Sequence, residues 1–269
     1  MKLLSLTLIG LIARCAFCAD LDARAIVTRS VLNYQDDWKA ALDFTYTEHD
    51  VTKDTTGCAK TTEVSQIYAI DGTPYTRLIA RNGAPLSGDE ARRENEKYER
   101  TVAARDAETA QQRADRIAKY QQDRAFLNEI PDAFDMKMLP PEEIGGRENY
   151  VIRLTPKPGY VPKSRNARLF AYIEGKMWID QQDLRWTQAE ADVIDSIAIG
   201  WVLARIGPGA HLALKQAKVE GEHWMVKELD IDGVARIMLV KNHPINETVS
   251  YSDFKRVRSP APTTAAKNQ

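Results

Sequence analysis

The residues whose types and spacing can do chemistry are few in this chain. The sequence has none of the HExxH, GxSxG, Walker A, GxGxxG or CxxC patterns that mark metalloproteases, serine hydrolases, nucleotide-binding proteins and redox proteins. None of its four histidines has a second histidine three or four residues away. His211 and His223 come nearest to a metal pair, because a hairpin could bring them face to face beside Glu222. Ordinary surface histidines are the simpler interpretation.

Acidic residues suggest two further sites, and both are incomplete. Glu228-x-Asp230-x-Asp232-Gly233 resembles the start of a calcium-binding loop, but Leu239 stands where the closing bidentate carboxylate belongs. A hairpin turn at Asp232-Gly233 explains the same residues without an ion. The pairs Glu142-Glu143 and Glu220/Glu222 show no sign of a cleft that would separate their pKa values. We therefore expect no metal, no cofactor and no catalytic residue.

Aromatic and methionine side chains indicate a site that binds rather than reacts. The strand-rich half of the chain contains Trp178, Trp186, Trp201 and Trp224, with Met177, Met225 and Met238. Such side chains usually form a core, but on a curved sheet they can line an apolar pocket, and Met and Trp suit acyl chains. The expected cavity residues are Leu169, Ile173, Met177, Trp178, Trp186 and Trp224. A shift of one residue in strand register would exchange the two faces.

The elements that would position these residues follow from periodicity and turn signals. One helical face is predicted at the start of the mature chain, with Val27, Val31, Tyr34, Trp38 and Leu42. Beyond it, strands are joined by two-residue turns at Asp71-Gly72, Glu220-Gly221 and Asp232-Gly233. The stretch from Leu169 to Ile179 alternates as one long strand, and the pattern is mostly strand from Phe126 onward. Tight turns make the strands antiparallel, and about eight to eleven strands in one sheet would curl.

One segment differs from the rest in composition. From Ser87 to Arg124 the chain is dominated by charged residues, Gln and Ala, and Ser87 is a plausible N-cap. The segment predicts a long solvated helix or two helices in a row. A solvated insertion is the simplest interpretation, and an arm that docks a partner protein is the alternative.

Charge and hydropathy exclude several classes of function. The formal net charge of −1 gives no basic field to hold a phosphate backbone, so we expect no nucleic-acid partner. No internal stretch approaches the ~18 apolar residues of a membrane span, so the mature chain is expected to have none. The sequence does not indicate the oligomeric state.

The N-terminus predicts export. Lys2 precedes an apolar run from Leu3 to Ala13, and small residues follow, which is the layout of a secretory signal peptide. Cleavage near Cys18 or Ala19 leaves Cys58 as a lone thiol, so the fold has no internal disulfide. We expect a signal peptide over residues 1–19, one domain over 20–258 with a charged helical insertion over 87–125, and a disordered tail over 259–269.

The second half of the chain resembles a known family. The residues that carry the resemblance are Gly146–Val151, Pro156–Tyr160, Gly207-Pro208-Gly209, the strand with Trp224, Tyr251–Phe254 and, above all, the strand Gly175-Lys176-Met177-Trp178-Ile179-Asp180. They are similar to the bacterial outer-membrane lipoprotein-sorting proteins of the LolA/LolB-like superfamily. The resemblance implies an α+β fold: a half-open antiparallel β-barrel with helices across its concave face. It also implies a periplasmic location and acyl chains held in an apolar cavity without metal or cofactor.

This chain departs from that family in its charged Ser87–Arg124 segment, which the compact carriers lack. No site residue is carried over from the family. The expected function is a non-catalytic periplasmic binder or carrier of lipid or lipoprotein acyl chains. The first alternative is an envelope interaction or sensor protein that docks a partner through the charged helical arm. The second and least favoured alternative is an exported hydrolase.

Overall fold

The computed structural model describes residues 22–54, 56–199, 204–237 and 241–257. The predicted signal peptide, the predicted tail, Trp201 and Met238 lie outside these residues. The strands are β1 (Phe44–Lys53), β2 (Ala59–Ile70), β3 (Thr73–Arg81), β4 (Ala84–Pro85), β5 (Phe134–Ile144), β6 (Arg147–Pro156), β7 (Ile173–Asp180), β8 (Trp186–Val193), β9 (Ile197–Ile199), β10 (Ala204–Ile206), β11 (His211–Val219), β12 (His223–Ile237) and β13 (Lys241–Arg256).

These strands form one open antiparallel sheet in the order β4-β3-β2-β1-β13-β12-β11-β8-β7-β6-β5, and the β9–β10 hairpin attaches to β12. Six of the strand pairs contain a register shift. Such shifts bend the strand and increase its twist, which accounts for the curvature of the sheet. The predicted fold class, an α+β half-open barrel with helices across its concave face, is confirmed.

The helices are α1 (Ala23–Ala40), α2 (Gly88–Asp106), α3 (Ala110–Gln122) and α4 (Ile130–Ala133), with 3-10 helices at Ala41–Asp43, Ala125–Glu129 and Asn166–Tyr172. The carboxylate of Asp22 caps α1 by accepting a hydrogen bond from the amide of Arg24 at 3.0 Å. Val27, Val31 and Tyr34 are buried in the core, as their spacing predicts. Among the described helices, none combines the length and apolar character that a bilayer crossing requires.

The charged segment forms α2 and α3, each begun by a capping box. Both helices lie on β3. The ring of Tyr98 is 5.7 Å from that of Tyr75, and the guanidinium of Arg105 donates to the carbonyl oxygens of Ile70 and Thr73 at 2.6 and 3.1 Å. The two helices therefore cover the β2–β3 hairpin through aromatic contacts such as that of Tyr98 and polar contacts such as that of Arg105, and neither helix has a buried residue.

Two of the three predicted turns are confirmed and one is wrong. Asp71-Gly72 and Glu220-Gly221 have positive φ at both residues, as the tight hairpin requires. Asp232-Gly233 instead lies inside β12. Glycine is needed there because a Cβ on Gly233 would lie 2.5 Å from the Cβ of Ala210. The glycine of this Asp-Gly pair serves a close approach between distant segments of the chain. Two neighbouring residues in a sequence do not reveal such a contact.

The prediction of one long strand from Leu169 is also wrong, because Asn166–Tyr172 is a 3-10 helix and β7 begins at Ile173. In a 3-10 helix, residues three apart lie on the same side. Ala167 and Phe170 have this spacing, and both are buried in the core. The stretch after Phe126, predicted as mostly strand, also begins with helical turns before β5.

In the strand that carries the family resemblance, Gly175–Asp180, the structure explains the residue type at each end. A Cβ on Gly175 would lie 2.1 Å from the carbonyl oxygen of Glu190 on β8, so only glycine fits. The buried carboxylate of Asp180 accepts hydrogen bonds from the guanidinium of Arg147 at 2.6 and 2.7 Å. Between these ends, Ile179 is fully buried in the core.

We expect Gly175→Ala to lower the free energy of unfolding by about 1–3 kcal/mol, because the methyl group forces β7 and β8 apart. Urea denaturation measures the change. Gly88→Ala is the matched control, since no atom lies within 4 Å of a Cβ at that helix start. Equal denaturation midpoints for the Gly175 variant and the parent chain would contradict the close approach.

Asp180 should make stability depend on pH. Burial by itself raises the pKa of this carboxyl, but hydrogen bonds from Arg147 and from backbone amides outweigh it and hold the pKa below its usual value. The stabilisation is therefore present above the unfolded pKa of about 3.9 and is lost as the pH falls through the folded pKa.

At pH 7, Asp180→Asn should cost about 1.5–3 kcal/mol of unfolding free energy, because it removes the charge from hydrogen bonds to a guanidinium. The difference from the parent chain should shrink at pH 3, as urea titrations at both values would measure. Asp36→Asn, at an exposed position of α1, is the control. If the difference in unfolding free energy did not change with pH, the ionised carboxylate of Asp180 would not be the source of the stabilisation.

Candidate functional site

An apolar cavity of ≈ 450 Å³ lies between the concave face of the sheet and the short helices that follow Arg124. Its volume falls within the range of about 300–1,000 Å³ that is typical of small-molecule sites. Its aliphatic and aromatic lining comes from helical turns on one side and from β7, β8, β12 and β13 on the other, and includes Phe126, Leu127, Leu169, Ile173, Met177, Trp186, Ala189, Ile231 and Ile245.

The floor of the apolar cavity is formed by small and flexible side chains on neighbouring strands. Met177 of β7 stands opposite Ala189 of β8, and Gly175 stands opposite Ala191. Paired residues in an antiparallel sheet share a face, so these positions leave space above the sheet where larger side chains would fill it. Met177 adapts to irregular contents because its side chain is unbranched and has three rotatable bonds.

One wall of the apolar cavity is an aromatic stack. The rings of Tyr34 on α1 and Trp186 on β8 lie 4.3 Å apart with an angle of 18° between their planes. The indole N–H of Trp186 donates to the hydroxyl of Ser30 at 2.9 Å, and both residues are buried. This hydrogen bond fixes the orientation of the indole, so the wall is held in place before any ligand arrives.

Ser30→Ala should reduce the free energy of unfolding by about 1–3 kcal/mol, because it leaves the buried indole N–H of Trp186 without an acceptor. Urea denaturation followed by tryptophan fluorescence would measure the loss. Thr28→Ala removes a similar hydroxyl from an exposed position on the same helix and should change stability by less than about 0.5 kcal/mol. Equal losses in the two variants would contradict the role of Ser30.

A second cavity of ≈ 360 Å³ lies beyond the Tyr34–Trp186 stack, and we call it the tyrosine cavity. Its lining mixes apolar residues with titratable ones and includes Tyr34, Asp37, Tyr46, Glu48, Arg124, Trp224 and Tyr251. Tyr34 lines the tyrosine cavity and Trp186 lines the apolar cavity, so their stack lies at the boundary between the two.

Burial weakens the negative charge in the tyrosine cavity. It raises the pKa of Asp37 to about 7, although the guanidinium of Arg185, 3.2 Å away, opposes the shift. It also raises the pKa of Glu48, against a hydrogen bond with Tyr251 that acts the other way. Burial lowers the pKa of Arg124, whose guanidinium stacks on the ring of Trp38 at 3.2 Å. The tyrosine cavity therefore carries less negative charge than its acidic residues would carry in water.

The residues considered for catalysis or metal binding are dispersed. His211 pairs with Asp232 in the β11–β12 ladder, whereas His223 lies at the opposite end of that ladder, so the two histidines do not face each other. Within the described ranges, no three His, Cys, Asp or Glu side chains come together in a way that could hold a metal ion. The carboxylate of Glu142 accepts a hydrogen bond from the indole of Trp178 at 2.8 Å.

Four of the six expected cavity residues, Leu169, Ile173, Met177 and Trp186, line the apolar cavity. Trp224 lines the tyrosine cavity instead, where its indole N–H donates to Asp183 at 3.2 Å. Trp178 lies on the other face of β7, because neighbouring residues of a strand point to opposite sides. Met177 lines the apolar cavity, so Trp178 faces away from it.

Sequence reasoning missed the helical side of the cavities. Phe126 and Leu127 contribute to the apolar cavity from a 3-10 helix, and Arg124 reaches the tyrosine cavity from just before it. The available signal was an apolar pair at the end of a charged segment. That signal did not say which strands the pair would cover.

Solved structures with a similar chain path include proteins of lipoprotein sorting. A domain described as outer membrane lipoprotein-sorting, from Vibrio parahaemolyticus, is 11% identical over 88% of this chain and 95% of that one, with a TM-score of 0.38. A LolA superfamily protein from Nitrosomonas europaea is 13% identical over 87% and 94%, with a TM-score of 0.31.

The Pseudomonas aeruginosa MucA/MucB complex also matches, at 10% identity over 82% of this chain and 93% of that one, with a TM-score of 0.23. Neither a family model nor a curated protein matches the chain. A LolA superfamily protein is one of these structural matches. At these identities the function has to be argued from the chain's own residues.

Proposed function

We propose that this protein binds the acyl chains of a lipid or lipoprotein outside the cytosol, and that it acts by burying them rather than by catalysis. The observation that carries the proposal is the apolar cavity of ≈ 450 Å³ on the concave face. Its walls are preformed, because the Tyr34–Trp186 stack is fixed by the hydrogen bond to Ser30. A preformed apolar hollow favours a flexible apolar ligand that needs few polar contacts.

The energetics of such binding are sufficient. Each buried methylene contributes ~0.8 kcal/mol, so a 16-carbon chain supplies roughly 10 kcal/mol before the cost of ordering it. Met177 adapts to the contents of the cavity, whereas Trp186 and Tyr34 set its width. Such a site distinguishes ligands by chain length and bulk more than by hydrogen bonding.

The predicted signal peptide supports a place outside the cytosol, and the strand Gly175–Asp180 supports the periplasm through the family it resembles. Transfer of a bound lipid or lipoprotein between envelope components is the carrier form of this proposal. The alternative, a protein partner docked on α2 and α3, stays a prediction. These helices cover the β2–β3 hairpin and bury none of their residues, so a docking partner would meet mainly charged and polar side chains.

The proposal is tested by displacement of a fluorescent fatty acid, dansyl-undecanoic acid, from the purified mature chain. Ala189→Trp should weaken binding by about tenfold or more, because the indole takes space that several methylenes would occupy. Gln188→Trp is the matched control, since Gln188 pairs with Trp178 on the other face of the same strands and should leave the Kd unchanged.

Native mass spectrometry of protein purified from a cell-envelope extract supplies the second measurement. We expect an added mass that matches a lipid, which organic extraction should remove. Absence of a bound lipid, together with absence of fluorescent fatty-acid binding, would refute the proposed function. Equal weakening by Ala189→Trp and Gln188→Trp would refute the location of the site.

A further inference from the structure

We infer that the ligand of the apolar cavity is an amphiphile with an oxyanion head group, and that Arg124 binds this head group in the tyrosine cavity. The inference rests on the proposed function and deepens it by naming the ligand's polar end. Three observations support it. The Arg124 guanidinium has no polar partner among the described residues, Arg124 lines the tyrosine cavity two residues before the lining of the apolar cavity begins, and the acidic groups of the tyrosine cavity are paired or buried.

The guanidinium of Arg124 is held but has no polar partner. Its central carbon lies 3.2 Å from the centre of the Trp38 ring and 5.5 Å from that of Tyr120. Within the described residues, its side chain makes no hydrogen bond and no ion pair. Its nitrogens are not among the buried polar atoms that lack a partner, so they reach open space.

The other half-buried arginines of the described chain all have partners. Arg147 binds Asp180, Arg116 binds Glu108 at 2.7 Å, and Arg185 lies 3.2 Å from Asp37. Arg105 donates to backbone carbonyl oxygens. Among these half-buried arginines, Arg124 is therefore the one whose guanidinium donors remain available to an external anion in the tyrosine cavity.

Arg124 also has the right position to join a head group to a chain. Phe126, only two residues further on, lines the apolar cavity, whereas Arg124 lines the tyrosine cavity. Their Cα atoms are at most about 7.6 Å apart, because each step along the backbone spans 3.8 Å. The inference requires the acyl chain to pass beside the Tyr34–Trp186 stack, which lies between the two cavities, on its way from Arg124 to Phe126.

The acidic groups that line the tyrosine cavity do not cancel the charge of Arg124, and Asp123, its neighbour in the chain, is exposed to solvent. Asp37 already has Arg185 as its partner, and burial moves its pKa toward neutrality. The carboxyl of Glu48 is shared with Tyr251, and burial favours its protonated form. The phenols of Tyr34 and Tyr46 are neutral at pH 7, since burial raises their pKa values further. The guanidinium is thus the net charge that a ligand meets.

The chemistry of the head group is that of a carboxylate or a phosphate. A guanidinium presents parallel N–H donors that match two oxygens of either group, and stacking on Trp38 keeps its plane fixed. A free fatty acid supplies the first group, and a lysophospholipid with a terminal phosphate supplies the second. Both are single-chain anionic amphiphiles, which a direct comparison of affinities can distinguish.

The test measures the Kd of dodecanoate, dodecanol and lauroyl lysophosphatidic acid by displacement of dansyl-undecanoic acid at pH 6, which lies below the pKa of Asp37. We expect the parent chain to bind dodecanoate about tenfold more tightly than dodecanol, as one charge-assisted hydrogen-bond pair implies. Arg124→Gln should abolish most of this ratio. Arg100→Gln, at an exposed position of α2, should preserve it.

Each outcome decides the inference. Tighter binding of lysophosphatidic acid than of dodecanoate, lost in Arg124→Gln, assigns a phosphate head group, and the reverse order assigns a carboxylate. Equal Kd values for dodecanoate and dodecanol in the parent chain overturn the inference and leave the proposed function intact, whether or not the variant folds. A ratio retained in folded Arg124→Gln also overturns it. If the parent chain binds none of the three ligands, the proposed function is refuted as well.

Discussion

The structure depends on the packing of one amphipathic helix against one part of a curved sheet. Helix α1 buries Val27, Val31 and Tyr34 against the strands around Ile179 and Trp186. A single helix is about 10 Å wide, which is narrower than the concave face of an eleven-strand sheet. The rest of the face must be covered by other elements, lined by small residues or left open, and this chain uses all three solutions.

The division of the concave face into two cavities follows from where α1 lies. Tyr34 reaches across from the helix and stacks on Trp186, and this stack bounds an apolar cavity on one side and a titratable one on the other. The small residues at Gly175, Ala189 and Ala191 keep the apolar side from filling with the chain's own side chains. The glycine is required by the backbone of β8, so sheet pairing and cavity shape have a common cause.

Local signals in the sequence predicted local structure well. The α1 periodicity and the Asp71-Gly72 turn needed only neighbouring residues, and both are confirmed. Asp232-Gly233 carried the same turn signal, but there the glycine serves a contact with Ala210, more than twenty positions away. Nothing in the dipeptide distinguishes these two uses of glycine.

The candidate site was predictable in kind but not in register. Apolar strand residues near Met177 identified strands that line the apolar cavity, yet Met177 and Trp178 point to opposite faces, and only the pairing with β8 decides which face is concave. Arg124 had no distinguishing mark among the charged residues of its segment. Its surroundings come from α1, α3 and the sheet, which meet only in the folded chain.

The helical wall of the apolar cavity is held in place by a network of hydrogen bonds around Glu129. On the helical side, the buried carboxylate of Glu129 accepts hydrogen bonds from the hydroxyl of Tyr160 at 2.5 Å, the amide of Lys163 at 2.7 Å and the hydroxyl of Ser164 at 2.6 Å. Burial alone would raise the pKa of Glu129, but these donors and the charge of Lys163 hold it below its usual value, so the network persists at neutral pH.

The opposite side of the apolar cavity is less enclosed. Leu212, which lines the cavity, remains 39% exposed. Opening the helical side would break charge-assisted hydrogen bonds to Glu129, each about twice as strong as a neutral one. The Glu129 network therefore holds the helical side of the apolar cavity in place, and Leu212 marks a side that is more open to solvent.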